Sequence, residues 1–224
     1  MRRRIGLSVL AAGIALIAWV GVTLVWGDPF TSLYTSHAQH ALSRELDRTD
    51  AVWRRADRRA GPRGGKRDEV AALLRARALR FERRLRDGAP IGRIRIPRIH
   101  LEMVVIEGTS TDDLEKGPGH YDAATGVDTS LPGMGAVIAI AGHRTTFLHP
   151  FRHIDELRPG DKIYLEMPYG TFRYSVYFQR VVVPTDWSIL RPRPYEKLVL
   201  TACHPLYSAS HRLAVFARLE GEAI

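Results

Sequence analysis

The stretch Ile91–Gly108 reads IGRIRIPRIHLEMVVIEG, and its apolar and polar side chains largely alternate. Successive side chains of a β-strand point to opposite faces of a sheet, so alternation of this kind indicates a strand with one buried face. The preceding sixty residues do not alternate in this way. The pattern therefore predicts that a β-domain begins at about residue 91.

Five further segments have the same strand-like character: GAVIAIAGHR (135–144), DKIYLEM (161–167), GTFRYSVYFQRVVV (170–183), KLVLTAC (197–203) and RLAVFARLE (212–220). Gly/Pro turns separate them, among them Leu131-Pro132-Gly133 and Arg158-Pro159-Gly160. About seven or eight short strands with little helix are typical of a closed barrel. We therefore expect an all-β domain, a closed β-barrel, over residues 91–224.

The chain begins with three arginines after Met1, and the next 22 residues, Ile5–Trp26, carry no charge. A helix of this length crosses a hydrocarbon core of ~30 Å. A cleaved signal peptide is the alternative, but its apolar region is normally shorter. The next basic residue after Trp26 is Arg44. By the positive-inside rule, the sequence predicts a cytoplasmic segment at 1–4, a transmembrane helix at 5–26 and an extracytoplasmic remainder.

Residues 27–90 hold most of the positive charge: the net charge is +7 over residues 44–87 and zero over 88–224. The basic character belongs to this segment, so the sequence gives no reason to expect nucleic-acid binding. Leu42, Leu46 and Trp53 recur at helical intervals before a Gly/Pro break at 60–66. A second apolar stripe follows at Val70, Leu73, Leu74, Ala78, Phe81 and Leu85. We expect a partly helical stalk, with a solvated Arg-rich spacer as the alternative.

Cys203 is the only cysteine. In an extracytoplasmic domain it cannot form a disulfide within its own chain, so it is a reactive thiol, an intermolecular bridge or an inert buried residue. A reactive thiol needs a nearby base or cation, because its free pKa is ~8.5. His143 follows a predicted buried strand. Arg212 begins the strand expected to form a hairpin with the strand of Cys203. Taken alone, each of these residues has an ordinary structural explanation.

The segment LVLTACHP (198–205), with Arg212 after it, resembles the cysteine signature of sortases, the membrane-anchored cysteine transpeptidases of Gram-positive bacteria. AGHRTTF (141–147) is similar to their histidine motif. GPGHY (117–121) and FRHIDELRPGDKIYL (151–165) are similar to the actinobacterial class E branch. The resemblance covers roughly residues 91–219. Ala202 departs from the pattern, since the family usually has Thr or Ser there.

The resemblance implies that Cys203 attacks the Thr carbonyl of a Leu-Pro/Ala-x-Thr-Gly sorting signal. His143 would act as general acid and then base, and Arg212 would stabilise the oxyanion. Thr145, Thr146, Thr201 and Ala202 are candidate substrate contacts, and His120 in GPGHY is interpreted as a loop histidine. The acceptor would be an amine of a peptidoglycan precursor, with no metal or organic cofactor. The expected localisation is the cell membrane, for anchoring of surface proteins to the cell wall.

Two other functions remain open. In a pilin-polymerising sortase a pilin lysine would resolve the intermediate, and an Asp-Pro-aromatic lid would be expected just before the barrel. Residues 87–90, Asp-Gly-Ala-Pro, do not contain that lid. A non-catalytic barrel that binds wall polymer through its Arg-rich segment would not depend on Cys203.

Overall fold

The fold is an eight-stranded closed β-barrel preceded by three helices. It was obtained as a computed structural model, which describes residues 2–26, 29–60, 67–122 and 129–223. The helices are α1 (Arg2–Trp26), α2 (Pro29–Ala60) and α3 (Arg67–Glu82), and a single turn, α4 (Thr111–Leu114), lies within the barrel domain. The strands are β1 (Pro90–Ile96), β2 (Leu101–Glu107), β3 (Gly119–His120), β4 (Val137–Ala141), β5 (Lys162–Met167), β6 (Gly170–Val182), β7 (Lys197–His204) and β8 (His211–Ala223).

The barrel closes in the order β1-β2-β3-β4-β7-β8-β6-β5. Pairs β2–β3 and β4–β7 are parallel and the other pairs are antiparallel. This confirms the all-β barrel, which begins at Pro90, one residue before the predicted boundary. The predicted alternation is present too: Ile94 and Ile96 of β1 are fully buried, while Arg93 and Arg95, which precede them in turn, are partly exposed.

Helices α2 and α3 pack against the barrel. Leu42 and Leu46 of α2 form a buried cluster with Val104 and Ile106 of β2. Trp53 of α2, together with Leu74, Ala78 and Phe81 of α3, joins the main core of the barrel. The predicted apolar stripes of this partly helical segment therefore lie against the barrel. The physical reason is that an apolar helix face is stabilised by burial. Most of the predicted Gly/Pro break, residues 61–66, lies outside the described residues.

Helix α1 makes no comparable packing, since the side chains of residues 5–21 are all exposed. Among the residues that the structure describes, no helix meets the combined length and hydropathy expected of a membrane span. The anchor at residues 5–26 stays a prediction.

Candidate active site

Cys203 and Arg212 face each other across the β7–β8 hairpin. They are directly paired in the antiparallel register, as the sequence predicted. Leu198, Leu200 and Ala202 of β7 point into the main barrel core, whereas Val199 packs in a separate cluster on the outer surface. Side chains alternate along a strand, so Cys203 shares the outer face with Val199 and Thr201.

The same reasoning places Arg212 on that face. Leu213, Val215 and Ala217 of β8 point into the barrel core, while Ala214 and Phe216 lie in the outer cluster. The guanidinium Nη1 of Arg212 donates to the carbonyl oxygens of Ala209 (2.9 Å) and His211 (3.1 Å). The cation is therefore held by its own hairpin loop, beside the thiol.

His143 lies at the end of the neighbouring strand. Strand β4 runs parallel to β7, and the last paired residues are Ala141 and Thr201. His143 and Cys203 each stand two residues beyond that pair. The Gly142 amide donates to the Thr201 carbonyl oxygen at 3.0 Å, so the two segments remain side by side past the end of β4. The parallel pairing thus brings His143 and Cys203 to the same edge of the sheet.

The imidazole of His143 is half-buried, and its surroundings favour the neutral form. Burial lowers its pKa below the ordinary 6.5, and the carboxylate of Glu115 opposes this shift only in part. The ring lies 5.2 Å from the ring of Phe147, centroid to centroid. Nε2 is buried, and none of the described residues hydrogen-bonds to it. A neutral imidazole with an uncommitted nitrogen is able to accept or donate a proton at this edge.

Arg144, which sequence reasoning did not single out, fixes the loop that carries His143. Its side chain is 2% exposed, and its Nη2 forms an ion pair with Asp155 at 2.8 Å. The guanidinium also donates to the carbonyl oxygen of Arg152 (3.1 Å), and it lies 3.3 Å from Nδ1 of His204 and 3.5 Å from the carbonyl oxygen of Cys203. One buried cation therefore ties the 143–155 loop to the end of β7.

The loop after His143 has an unusual backbone. Phe147, Leu148 and His149 have φ values of 52°, 57° and 36°, in the left-handed region that non-glycine residues seldom occupy. Such strain persists where neighbouring contacts fix the conformation, and it often accompanies functional sites. The predicted contacts Thr145 and Thr146 are half-buried in this loop, next to His143.

Thr201 lies on the outer face, two residues before Cys203. Its hydroxyl hydrogen-bonds to the hydroxyl of Tyr121, with 2.9 Å between the oxygens. Ala202 is 3% exposed and packs in the barrel core. Its side chain points away from Cys203 and is not available to a ligand on the outer face, so the structure does not support the predicted substrate contact there. Tyr121 was missed because a tyrosine beside a two-residue strand gives no periodic signal.

The β6–β7 connection covers the outer face. Ile189 and Leu190 pack on the apolar cluster that includes Val199. The ammonium of Lys197 donates to the carbonyl oxygens of Ile189 (2.9 Å) and Arg191 (2.7 Å). Burial lowers the pKa of Lys197 to about 8, and Arg193 and Arg180 add to this effect. This connection therefore covers the outer face of β7 up to Val199, which is fully buried.

His120 is not in a loop, contrary to the sequence-based interpretation. It lies in the two-residue strand β3 and is 1% exposed. Its Nδ1 is 3.0 Å from a carboxylate oxygen of Glu107, and its Nε2 is 3.0 Å from the hydroxyl of Thr129. Both ring nitrogens have partners, so His120 has a structural role. In the described parts of the chain, no cluster of three or more acidic, His or Cys side chains could hold a metal ion.

The arrangement suits nucleophilic acyl transfer. The strand register brings a thiol, an imidazole whose surroundings favour its neutral form, and a guanidinium to the same end of the barrel. Thiol–imidazole pairs supply a nucleophile and a proton carrier, and a cation beside the thiol is suited to a developing negative charge. The geometry supports chemistry on a carbonyl of a ligand that lies along β7.

Comparison with known proteins identifies relatives with this layout. The sortase domain model matches residues 94–220. Sortase D of Bacillus subtilis is 39% identical over 53% of this chain and 56% of its own length. Sortase SrtE1 of Streptomyces coelicolor is 32% identical over 58% of this chain and 40% of its own length. The chain thus spans about half the length of the curated relatives it matches.

Solved structures agree with the sequence matches. The crystal structure of Streptomyces coelicolor sortase E1, with a tripeptide in its active site, matches at a TM-score of 0.58 and 29% identity. The match covers 61% of this chain and 91% of that chain. Sortase E of Streptomyces avermitilis is 36% identical at a TM-score of 0.54, over 61% of this chain and 91% of its own. These similarities are consistent with the class E branch. With the family model matching more than half of its residues, on a closed eight-stranded barrel, the chain belongs to the sortase family.

Proposed function

We propose that the protein is a membrane-anchored cysteine transpeptidase that cleaves a Leu-Pro/Ala-x-Thr-Gly sorting signal between Thr and Gly. The observation that carries the proposal is the meeting of Cys203, Arg212 and His143 at one edge of the outer face. Thr145 and Thr146, half-buried in the loop after His143, are the proposed polar contacts to the sorting-signal peptide. Thr201 is 2% exposed and its hydroxyl is bonded to Tyr121, so its proposed role is to position the end of β7.

The proposed reaction has two acyl transfers. Neutral His143 takes the proton of the Cys203 thiol, and the resulting thiolate attacks the threonine carbonyl carbon. Arg212 releases a carbonyl oxygen of its hairpin loop and donates to the developing oxyanion instead. The C–N bond to glycine breaks as protonated His143 donates its proton to the leaving amine, which leaves a thioester on Cys203. The amine of a peptidoglycan precursor then attacks this thioester, His143 takes the proton of that amine, and the thiol is released.

The proposed anchor is α1, with its N-terminus in the cytoplasm. Support comes from the uncharged run Ile5–Trp26, from the three arginines before it, and from the exposure of all side chains over residues 5–21. An apolar helix with exposed side chains is stabilised by transfer into lipid. The barrel would then lie on the outer side of the membrane, where secreted proteins and wall precursors meet.

The test is mass spectrometry of the full chain in detergent with Leu-Ala-x-Thr-Gly and Leu-Pro-x-Thr-Gly peptides. We expect a thioacyl adduct on Cys203 and release of a fragment that begins with Gly. Cys203→Ala should abolish the adduct and His143→Ala should slow its formation. His153→Ala, which alters an exposed histidine ten residues further on, is the matched control and should react normally. A folded chain that forms no adduct with either peptide would refute the proposed specificity.

The alternative functions predict other results. A pilin polymerase would transfer the acyl group to a lysine side chain of a pilin in preference to a wall-precursor amine. A non-catalytic wall-binding barrel would retain its function in Cys203→Ala. Competition between the two amine acceptors in the same assay separates the first alternative from the main proposal.

A further inference from the structure

The first turns of α2 lie beside the candidate active site. The hydroxyl of Thr31 accepts a hydrogen bond from the amide of Phe147 at 3.4 Å, and Phe147 stacks on His143. One turn later, the hydroxyl of Thr35 donates to the carbonyl oxygen of Glu115 at 2.6 Å. Glu115 is the residue whose charge acts on His143. Helix α2 therefore starts at the active-site end of the barrel.

The rest of α2 leads away from that end. Trp53, near its C-terminal part, packs on Tyr169 with 6.1 Å between ring centroids. Tyr169 belongs to the β5–β6 turn, and the opposite end of β6, Val182, pairs with Arg212. Helix α2 thus runs from the active-site end of the barrel to the opposite end.

Chain length limits how far the active site can be from the membrane. Thr31 is five residues after Trp26, the last residue of the uncharged run. Five residues span at most about 18 Å even when fully extended. The polar headgroup layer is itself roughly 5–8 Å thick on each side. If α1 spans the bilayer, the loop after His143 has to lie near the headgroups, because that loop contacts Thr31.

The same end of the barrel exposes large apolar side chains. On α2, Phe30 is 70% exposed, Leu33 71% and Tyr34 51%; in the β7–β8 turn, Leu206 is 38% and Tyr207 59% exposed. The two groups are linked through the loop after His143. Its Phe147 contacts α2, and its Arg152 donates to the hydroxyl of Tyr207 at 3.5 Å. Aromatic and aliphatic side chains of this kind are enriched at membrane interfaces, and nearby arginine is attracted to anionic lipid.

We infer that the active-site end of the barrel docks on the outer surface of the anionic membrane, with Tyr207 and Leu206 at the level of the lipid headgroups. The inference rests on the proposed anchor, and it adds an orientation that the anchor alone does not require. A barrel on a flexible tether could face in any direction. In the docked orientation, Cys203 lies near the membrane surface, and an acceptor amine carried by a lipid reaches the thioester by diffusion in the membrane plane.

The test places a fluorescent probe at each end of the full chain. Cys203→Ala removes the only cysteine, so Tyr207→Cys can then be labelled with bimane. The matched control is Arg75→Cys, an exposed position of α3 next to Leu74, which packs on Gly170 at the far end of the barrel. Both labelled chains are reconstituted in vesicles of phosphatidylglycerol and phosphatidylcholine that contain a lipid with a nitroxide on its headgroup.

We expect quenching at position 207 to exceed quenching at position 75 several-fold, and to decrease when phosphatidylglycerol is replaced by phosphatidylcholine. If the chain floats with the vesicles but both probes are quenched equally, the docking is refuted and the anchor stands. If the chain does not float with the vesicles, the anchor fails and the docking fails with it. Stronger quenching at position 75 would show the opposite orientation.

Discussion

Replacing Arg144 tests whether a buried cation positions the catalytic histidine. Arg144→Met keeps much of the side-chain volume but removes the ion pair to Asp155 and the hydrogen bond to the Arg152 carbonyl. Hydrogen bonds to charged groups contribute ~1.5–3 kcal/mol each. The ion pair contributes less than a fully buried one, because the Asp155 side chain is 49% exposed and well solvated.

Removing the guanidinium also removes the cost of keeping a charge buried. The net loss in the free energy of unfolding is therefore about 2–3 kcal/mol, equivalent to a decrease in Tm of roughly 5–10 °C for a chain of this size. The loop of His143 should also move. A misplacement of ~1 Å can reduce a rate by ~10², so kcat should fall by at least about tenfold. KM should change little, since the Arg144 side chain is only 2% exposed.

The assays are urea unfolding, and steady-state kinetics on a quenched sorting-signal peptide. Arg152→Met is the matched control, because Arg152 lies in the same loop, is more exposed, and its guanidinium donates to the hydroxyl of the exposed Tyr207 at 3.5 Å. We expect this control to lose less than ~1 kcal/mol. The reasoning is refuted if both variants lose the same stability, or if Arg144→Met retains wild-type kcat.

Three further changes test other buried groups. Glu196→Ala removes the acceptor of the Gly133 and Gly135 amides and of the Tyr174 hydroxyl, so urea unfolding should show a loss of at least ~3 kcal/mol, against about 1 kcal/mol for Tyr174→Phe. Lys197 has a pKa of about 8 in the folded chain and 10.5 ordinarily. Between these pH values the unfolded state therefore binds more protons than the folded state. The free energy of unfolding should rise with pH across that window, and the rise should be smaller in Lys197→Met. The pKa of His143 is lowered from 6.5, so the free energy of unfolding should decrease as pH falls below about 6.5. Urea titrations of His143→Gln should show a smaller decrease over the same pH range.

The barrel was predictable because its strands carry their own signal. Segments such as 91–108 alternate apolar and polar residues, and Gly/Pro turns mark their ends. The β7–β8 hairpin was predictable as well, since strands that are neighbours in sequence usually pair. Strand β3 was not, because two residues are too few for a period to be recognised, and His120 was therefore interpreted as a loop residue.

The remaining features depend on contacts between distant parts of the chain. Nothing in the local sequence indicates that β4 pairs with β7, some sixty residues later in the chain. The apolar stripes of α2 and α3 predict which helix face is buried, but not which surface covers it. Arg144 illustrates the same limit: an arginine after a strand is normally solvated, and only the fold shows that Asp155 and the carbonyl oxygens of Arg152 and Cys203 surround it.

The core of the barrel determines where the reactive thiol lies. Leu198, Leu200 and Ala202 fill the interior, and they fix the register of β7 because a slip of one residue would exchange the two faces of the strand. Cys203 would then point into an apolar core, where burial raises the pKa of a thiol and suppresses its reactivity. The position of the nucleophile on the outer face is thus a consequence of core packing, and the parallel pairing with β4 extends that control to His143.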